Sequence, residues 1–233
     1  MKHSKMILSG MGLALSLLLA SPVVAAPGRD WAQWLSHYYE NPQPELVVKA
    51  VYGLSRAGYF EEAAQPATAI GFLAAVFAEN PEKMAEWSRA FRDLPQAHQR
   101  LVAAAMWYSG VPAGAEQLRA KARHSDPAVR VEMDRLIAMG GPALRDTPVL
   151  SESSMNLQWG AFVATGNPQH ILNVLTALGS DEPALNSAAR LALAEKAALH
   201  TKVYAICEAQ LSQQPDKVKN QLSAALVDAK SRP

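Results

Sequence analysis

Four joints in which Asn or Asp directly precedes Pro constrain the fold of this chain more than any other sequence feature. They read YENPQ, AENPE, HSDPA and TGNPQ, and QQPDK is a weaker version of the same joint. The side chain of Asn or Asp can cap a helix by accepting hydrogen bonds from the exposed amides of its first turn. Pro suits the next position because its missing N–H needs no partner there and its φ angle is already helical. Each joint therefore predicts the end of one helix and the start of another.

The spacing of these joints predicts a helical repeat. Their prolines lie 39 to 47 residues apart and are Pro42, Pro81, Pro127, Pro168 and Pro215. Helix-hairpin repeats have periods of about 34 to 47 residues, which is enough for two helices and two turns. We therefore expect an all-α fold of about 11 to 12 helices, stacked as antiparallel pairs in an α-solenoid.

Apolar side chains recur at helical rather than strand spacing. Trp31, Trp34, Leu35 and Tyr38 form one apolar stripe behind the candidate N-cap Asp30. No run of the chain alternates apolar and polar residues over the length of a β-strand. Periodicity therefore supports the all-α prediction.

One phrase occurs twice in the chain. Residues 33–54 read QWLSHYYENPQPELVVKAVYGL, and residues 158–178 read QWGAFVATGNPQHILNVLTAL. Each has Gln-Trp, a short stretch, Asn-Pro and an apolar run. With the joint spacing, this duplication resembles tetratricopeptide-like and related α-helical repeats, although the Trp/Leu-Gly/Tyr/Ala pattern of tetratricopeptide repeats is not present. The resemblance implies stacked helix pairs with an extended concave surface, an arrangement that often holds another protein.

The duplication also predicts two related halves. We place an N-terminal helical-repeat half at 27–141, a connecting loop at 142–154 and a C-terminal helical-repeat half at 155–233. The boundary segment GGPALRDTPVLSESS is rich in Gly, Pro, Ser and Thr. Gly140 is expected to end the helix before it, and Ser151 and Ser153 are candidate N-caps of the helix after it.

Residues 1–26 match the pattern of a cleavable secretory signal peptide. Lys2 and Lys5 precede an apolar run, and Val-Ala-Ala at 24–26 provides small residues for cleavage. The apolar run is shorter than the roughly 20 residues that a spanning helix needs. No Cys stands at the cleavage point for a lipid anchor, and no later run is long and apolar enough to cross a membrane. We therefore expect a periplasmic or secreted protein without an integral membrane span after cleavage.

Several chemistries find no support in the sequence. A formal net charge of +1 gives no general electrostatic case for nucleic-acid binding. There is no Gly-x-Ser-x-Gly elbow and no phosphate-binding glycine loop. The single Cys207 lies among apolar neighbours and is interpreted as a small buried hydrophobe. We predict no catalytic residue and no cofactor.

Two motifs leave narrower alternatives open. Glu152-Ser153 is similar to the catalytic Glu-Ser of lytic transglycosylases, but the Gly-Leu-Met-Gln segment that follows in that family is missing. This motif supports the alternative function, a cell-wall-acting or other hydrolytic enzyme. His37 and Glu40 have an i, i+3 spacing that two metal ligands could use. A site needs at least one further ligand that the sequence does not identify, so no metal site is predicted.

Two surface features are the candidate binding sites. Trp31, Trp34 and Tyr38 belong to a stripe that a terminal repeat would leave partly exposed, and exposed Trp and Tyr are favoured binding anchors. Arg119 and Arg123 share one helix face in a basic stretch. We expect an exported, non-enzymatic protein-binding or scaffold module whose partner is another protein of the cell envelope.

The signal-peptide interpretation makes a direct prediction. When the full chain is expressed in a bacterium with an intact export pathway, the purified protein should begin at Pro27, because cleavage is expected after Ala26. Intact-mass measurement and N-terminal sequencing check this, with the Ala26→Leu variant as a control that should be cut poorly. A periplasmic product that still carries Met1 would contradict the prediction.

Overall fold

The computed structural model describes residues 29–124 and 127–232, so the predicted signal peptide lies outside the described residues. Within them the chain forms twelve α-helices and no β-strand, which confirms the all-α prediction. The helices are α1 Trp31–Ser36, α2 Val47–Arg56, α3 Gln65–Glu79, α4 Met84–Ala90, α5 Gln96–Tyr108, α6 Pro112–Ala122, α7 Pro127–Met139, α8 Glu152–Thr165, α9 Pro168–Ala177, α10 Pro183–Leu199, α11 Thr201–Gln210 and α12 Asp216–Lys230. Six short 3-10 turns also occur, at Tyr38–Glu40, Pro44–Leu46, Tyr59–Glu61, Pro81–Lys83, Phe91–Asp93 and Leu144–Asp146.

Three helix starts follow the predicted capping chemistry, whereas Asn80 before Pro81 makes no cap and its side chain donates to the carbonyl oxygen of Val76 instead. Asp30 accepts a hydrogen bond from the amide of Gln33 at the start of α1. Asn167 accepts one from the amide of Gln169 at the start of α9. Ser151 caps α8, where its side chain and that of Ser154 each accept a hydrogen bond from the other's backbone amide. These three N-caps confirm the predictions, because a cap depends on neighbours in sequence.

The ends of three helices are also determined by residues next to them in the sequence. Gly58, Gly110 and Gly140 follow α2, α5 and α7, and their φ angles are 74°, 67° and 74°. This left-handed conformation is easily reached only by glycine, which ends a helix without steric cost.

The joint at Asn41-Pro42 does not start a helix, contrary to the prediction. The next turn begins at Pro44, and Gln43 before it is not helical, with φ −131° and ψ 73°. The reason is the second proline, because a residue that precedes proline is pushed away from the helical region. A helix starting at Pro42 would require Gln43 to be helical.

Helices α3 and α8 cross at the centre of the molecule and make the most extensive contact between any two helices described. Both are buried on several faces, α3 from Gly71 to Phe77 and α8 from Leu157 to Ala164. A methyl group added at Gly71 would collide with the carbonyl oxygen of Leu157, and one added at Gly160 would collide with the backbone of α3 at Thr68. Each helix therefore uses a glycine to admit the backbone of the other.

The remaining helices pack around this pair. α5 lies against α3, α9 lies against α8, and α10 pairs with α12. The buried apolar side chains form one cluster that runs from Leu35 to Ala229. The α3–α8 contact joins distant parts of the sequence and does not follow from the spacing of the joints, so stacking as a solenoid stays a prediction.

The connection between α7 and α8 is held by a buried amide. The side-chain nitrogen of Gln158 donates to the carbonyl oxygens of Leu144 and Thr147, each at 2.8 Å. Its side-chain oxygen accepts from Nδ1 of His170 at 2.7 Å. Both polar atoms of this fully buried side chain therefore have hydrogen-bond partners, as burial requires.

None of the described helices is long and apolar enough to cross a membrane.

At the α3–α8 crossing we expect Gly→Ala to destabilise the protein, which is the reverse of its usual effect within a helix. Glycine within a helix normally costs about 0.5–1 kcal/mol relative to alanine, so Gly→Ala should stabilise a free helix. At Gly71 and Gly160 we expect Gly→Ala to lower the free energy of unfolding by about 1–3 kcal/mol, because the helices must move apart. Urea denaturation measures this, with Ser153→Ala on the exposed side of α8 as the matched control. Unchanged or higher stability in Gly71→Ala and Gly160→Ala would show that the crossing is not tightly packed.

Candidate functional site

A groove of about 1010 Å³ lies between α4, α5, α6 and α7. Its apolar floor is formed by side chains of α5, α6 and α7, namely Ala103, Ala104, Trp107, Leu118, Met133 and Leu136. Apart from Leu118 these side chains are only partly buried, so the floor presents apolar surface to the solvent. Such a surface is typical of binding sites.

The rim of the groove is basic. Arg89 of α4, Arg92 after α4 and Arg100 of α5 are exposed and line it. Lys121 also lines it, and partial burial lowers the pKa of this side chain. Among the described lining residues none is acidic, although the carboxylate of Asp93 lies 3.9 Å from Arg92. The groove thus combines an apolar floor with a positively charged edge.

Several contacts fix the walls of the groove. Nε1 of Trp107 donates to the carbonyl oxygen of Leu136 at 2.9 Å and so joins α5 to α7. Gly141 lets the following segment pass directly over the carbonyl of Trp107, where a side chain would collide. The side chain of Arg130 donates to the carbonyl oxygens of Ala122 and Arg123 at the end of α6. The groove is therefore built from joined helices.

The aromatic residues predicted as a binding site lie mainly in the core. Tyr38 is 3% exposed, and its ring packs edge-on against Phe72 of α3 at 5.1 Å. Trp34 contacts the same Phe72, and its Nε1 donates to the side-chain oxygen of Gln43. Trp31 packs edge-on against Trp34. Trp31 and Trp34 keep part of their rings exposed, so a role for them in binding stays a prediction.

The predicted basic pair lies outside the groove. Arg119 and Arg123 are both exposed on α6 and its end, and neither lines the groove. Lys121 and His124, from the same stretch, do line it. The sequence therefore identified the basic helix, whereas Arg89, Arg92 and Arg100 were missed because they come from other segments.

The two residues considered for covalent or hydrolytic chemistry occupy ordinary structural positions. Glu152 is an exposed first residue of α8, where a carboxylate is favoured by the helix dipole. It lines neither the groove nor the cavity of about 380 Å³ that contains His170. Cys207 is 1% exposed, and burial raises the pKa of its thiol to about 12, as expected for an inert buried cysteine.

A second cavity, of about 380 Å³, contains two ionisable groups whose pKa values are shifted. Burial raises the pKa of Glu79 and lowers that of His170 to about 4. His170 is 5% exposed and hydrogen-bonds to Gln158 through Nδ1. The lowered pKa of His170 keeps its imidazole neutral in the folded protein at neutral pH.

Three residues with metal-ligating side chains meet at another place. His37, Glu40 and His200 each offer one ligand atom, and these atoms lie within 4.8 Å of one another. His37 and Glu40 flank the turn after α1, and His200 lies between α10 and α11. The sequence indicated the first two, but His200 is 160 residues further along the chain and no local signal connects it to them.

Burial is the main reason why the pKa of His200 falls to about 4. His37, when it is protonated, and Lys196 act in the same direction by charge repulsion, and Glu40 acts against them. The side chain is therefore a neutral imidazole at neutral pH. Burial, and after it a hydrogen bond to Glu40, raises the pKa of the neighbouring Tyr39 to about 12, so its hydroxyl stays protonated.

Comparisons of the chain with protein-family models, with curated proteins and with solved structures found no match. Function is therefore argued from the geometry of the chain itself.

The buried state of His170 predicts a loss of stability in acid. The unfolded chain takes up a proton at this side chain below a pKa of about 6.5, whereas the folded chain resists protonation down to about 4. Stability from this group is therefore present above pH 6.5 and is lost as the pH falls towards 4. The variant His170→Asn keeps a donor for Gln158 but has no imidazole to protonate. Between pH 7 and pH 4.5 we expect its free energy of unfolding to fall by about 2 kcal/mol less than that of the parent protein.

Urea unfolding at the two pH values measures this difference. The exposed His124→Asn serves as the control and should show the parental pH dependence. Identical pH dependence for the parent and His170→Asn would contradict the prediction.

Proposed function

We propose that this chain is an exported, non-enzymatic protein-binding module, and that the groove between α4 and α7 holds an acidic amphipathic helix of an envelope protein. The observation that carries the proposal is the apolar floor of the groove beside three exposed arginines. An amphipathic helix binds by laying its apolar face into such a groove.

The floor explains the apolar part of the ligand. Trp107 offers a large, partly exposed ring that its hydrogen bond to Leu136 holds in place. Met133 adds a flexible side chain that adapts to the shape of a partner. A pre-formed aromatic anchor costs little conformational entropy on binding, which favours this surface as the centre of an interface.

The rim explains the charge of the ligand. Arg89, Arg92 and Arg100 come from successive segments and bring positive charge to the same groove. Carboxylates on the solvent-facing side of a bound helix would meet these guanidinium groups, and arginine pairs well with carboxylates. Charge of this kind contributes chiefly to the rate of association and to partner choice.

Two further parts of the proposal concern origin and location. The two halves at 27–141 and 155–233 are proposed to derive from duplication of helix pairs, which gives a helical-repeat architecture. Trp34 and Trp159 each lie on a helix followed by an Asn-Pro joint, but their surroundings differ: Trp34 is partly exposed and packs on Phe72 of another helix, whereas Trp159 is buried and contacts Phe162 of its own helix. Support for duplication therefore comes from the repeated sequence phrase and not from these two sites. The pattern of residues 1–26 supports export to the periplasm.

The hydrolytic alternative has weaker support. A glycosidase needs a carboxylic acid and normally a second carboxylate across the substrate. Glu152 instead begins α8 beside the Ser151 cap, on the surface. The exposed position gives it no enclosed substrate site, and we therefore favour the binding module.

A defined peptide pair tests the groove. One peptide of about 18 residues, long enough to form a helix in water, carries leucines on one face and glutamates on the other. The second replaces every glutamate with lysine. We expect the purified protein to bind the acidic peptide and not the basic one, as measured by calorimetry. The double variant Arg89→Glu/Arg100→Glu should weaken binding at least about tenfold, because two attractions become repulsions.

The matched control is Arg119→Glu/Arg123→Glu, which makes the same change of charge on the outer face of α6. This variant should bind the acidic peptide with nearly parental affinity. If the control loses binding and the groove variant keeps it, the site is the predicted basic pair rather than the groove. Equal binding of both peptides would show that charge does not select the partner.

A further inference from the structure

Independently of the groove, we propose that His37, Glu40 and His200 form a binding site for a divalent transition-metal ion of the zinc class. Two imidazoles and one carboxylate are a donor set that suits Zn²⁺. Among the described residues no other group of three such side chains lies this close together.

The distances suit one shared ion. Zn²⁺ lies about 2.0–2.2 Å from nitrogen and oxygen ligands, so two atoms on one ion are at most about 4.4 Å apart. The three ligand atoms lie within 4.8 Å of one another, so they need to approach by only about a few tenths of an ångström to share one ion. Glu40 is exposed and His37 only partly buried, so both can rotate towards the buried His200.

The outer contacts of His37 prepare it for a metal. Its Nδ1 lies 3.1 Å from the carbonyl oxygen of Gln33 and 2.7 Å from Oγ of Ser36. That hydroxyl already donates to Gln33, so it can only accept from the ring. Both contacts therefore place the hydrogen on Nδ1 and leave the lone pair of Nε2 for an ion. Metal-binding histidines are usually oriented by such an outer hydrogen bond.

His200 has a comparable outer partner. Oη of Tyr39 lies 3.4 Å from its Nδ1, and the ring of Tyr39 packs against Phe162 of α8. A hydrogen on Nδ1 directed at this oxygen leaves Nε2 of His200 available. The rings of His37 and His200 are 5.1 Å apart and tilted by 46°, so the two imidazoles are immediate neighbours.

The surrounding charges limit the affinity. Lys202 lies 5.4 Å from the centre of the Tyr39 ring, and Lys196 is paired with Glu195 at 2.8 Å. These cations oppose a further positive ion, and Glu40 is the ligand that offsets them. Three protein ligands leave at least one coordination position for water or for a group of a partner, as in sites that are not purely structural.

The experiment uses the untagged purified protein, treated with EDTA and then titrated with Zn²⁺ in a calorimeter. Co²⁺ is titrated in parallel, because its visible absorption reports coordination by protein ligands. We expect one equivalent of either metal to bind. His37→Gln and Glu40→Gln should each raise the dissociation constant at least about tenfold, since even outer partners of metal ligands contribute 10- to 100-fold.

The structure provides two matched controls. Glu61 lies 3.0 Å from the buried His98, a carboxylate–histidine pair outside the three-residue cluster. Glu61→Gln and the exposed His124→Gln should bind zinc as the parent does. His37 and Glu40 are not deeply buried, so circular dichroism should show that their variants fold normally. Absence of zinc binding in the parent, or binding that His37→Gln and Glu40→Gln leave unchanged, would overturn the proposal.

Discussion

The close crossing of α3 and α8 depends on two glycines that let the helix backbones touch. Gly71 admits the carbonyl of Leu157, and Gly160 admits the backbone at Thr68. Each glycine costs about 0.5–1 kcal/mol of helix stability relative to alanine. Close contact along two helices buried on several faces offsets that cost through dispersion and the hydrophobic effect. The reciprocal arrangement fixes the separation of the helices and therefore the frame on which the others pack.

Both proposed sites are attached to this frame on different sides. α5 packs against α3 and carries Arg100 and Trp107 into the groove. The turn Tyr38–Glu40 packs against α8, where Tyr39 contacts Phe162. The groove is thus connected to the crossing through α5, and the metal-ligand cluster is connected to it through the ring of Tyr39. Neither site could keep its geometry if α3 and α8 moved apart.

Several features fixed by neighbouring residues were predictable from the sequence, although the Asn41-Pro42 joint was not, and features fixed by packing were not predictable. In the caps at Asp30, Ser151 and Asn167 the side chain accepts from a backbone amide two or three residues later, so the type and position of the cap residue suffice. The partner of Gly71 is a carbonyl more than 80 residues away, and helical periodicity does not specify it.

The candidate sites divide in the same way. Residues 119–124 were recognised as basic because their charges are adjacent, although the groove combines Lys121 and His124 with arginines from other segments. The spacing of His37 and Glu40 was visible in the sequence, whereas His200 joins them only through tertiary packing, in which it lies against Tyr39 and His37. A sequence indicates which chemical groups are present, but only the tertiary fold brings together those that lack a local connection.

The segment that carries His37 and Glu40 links the proposed metal site to the stability of the fold. α1 has only six residues, too few to form a stable helix alone. It is held by Trp34 and Tyr38 against Phe72 and by Tyr39 against Phe162. An ion bound to this segment and to His200 favours the docked state by mass action. The same linkage requires that weaker ring contacts lower the metal affinity, even though no ring carbon touches the ion. Affinity at this site is therefore a property of aromatic packing as well as of the three ligands.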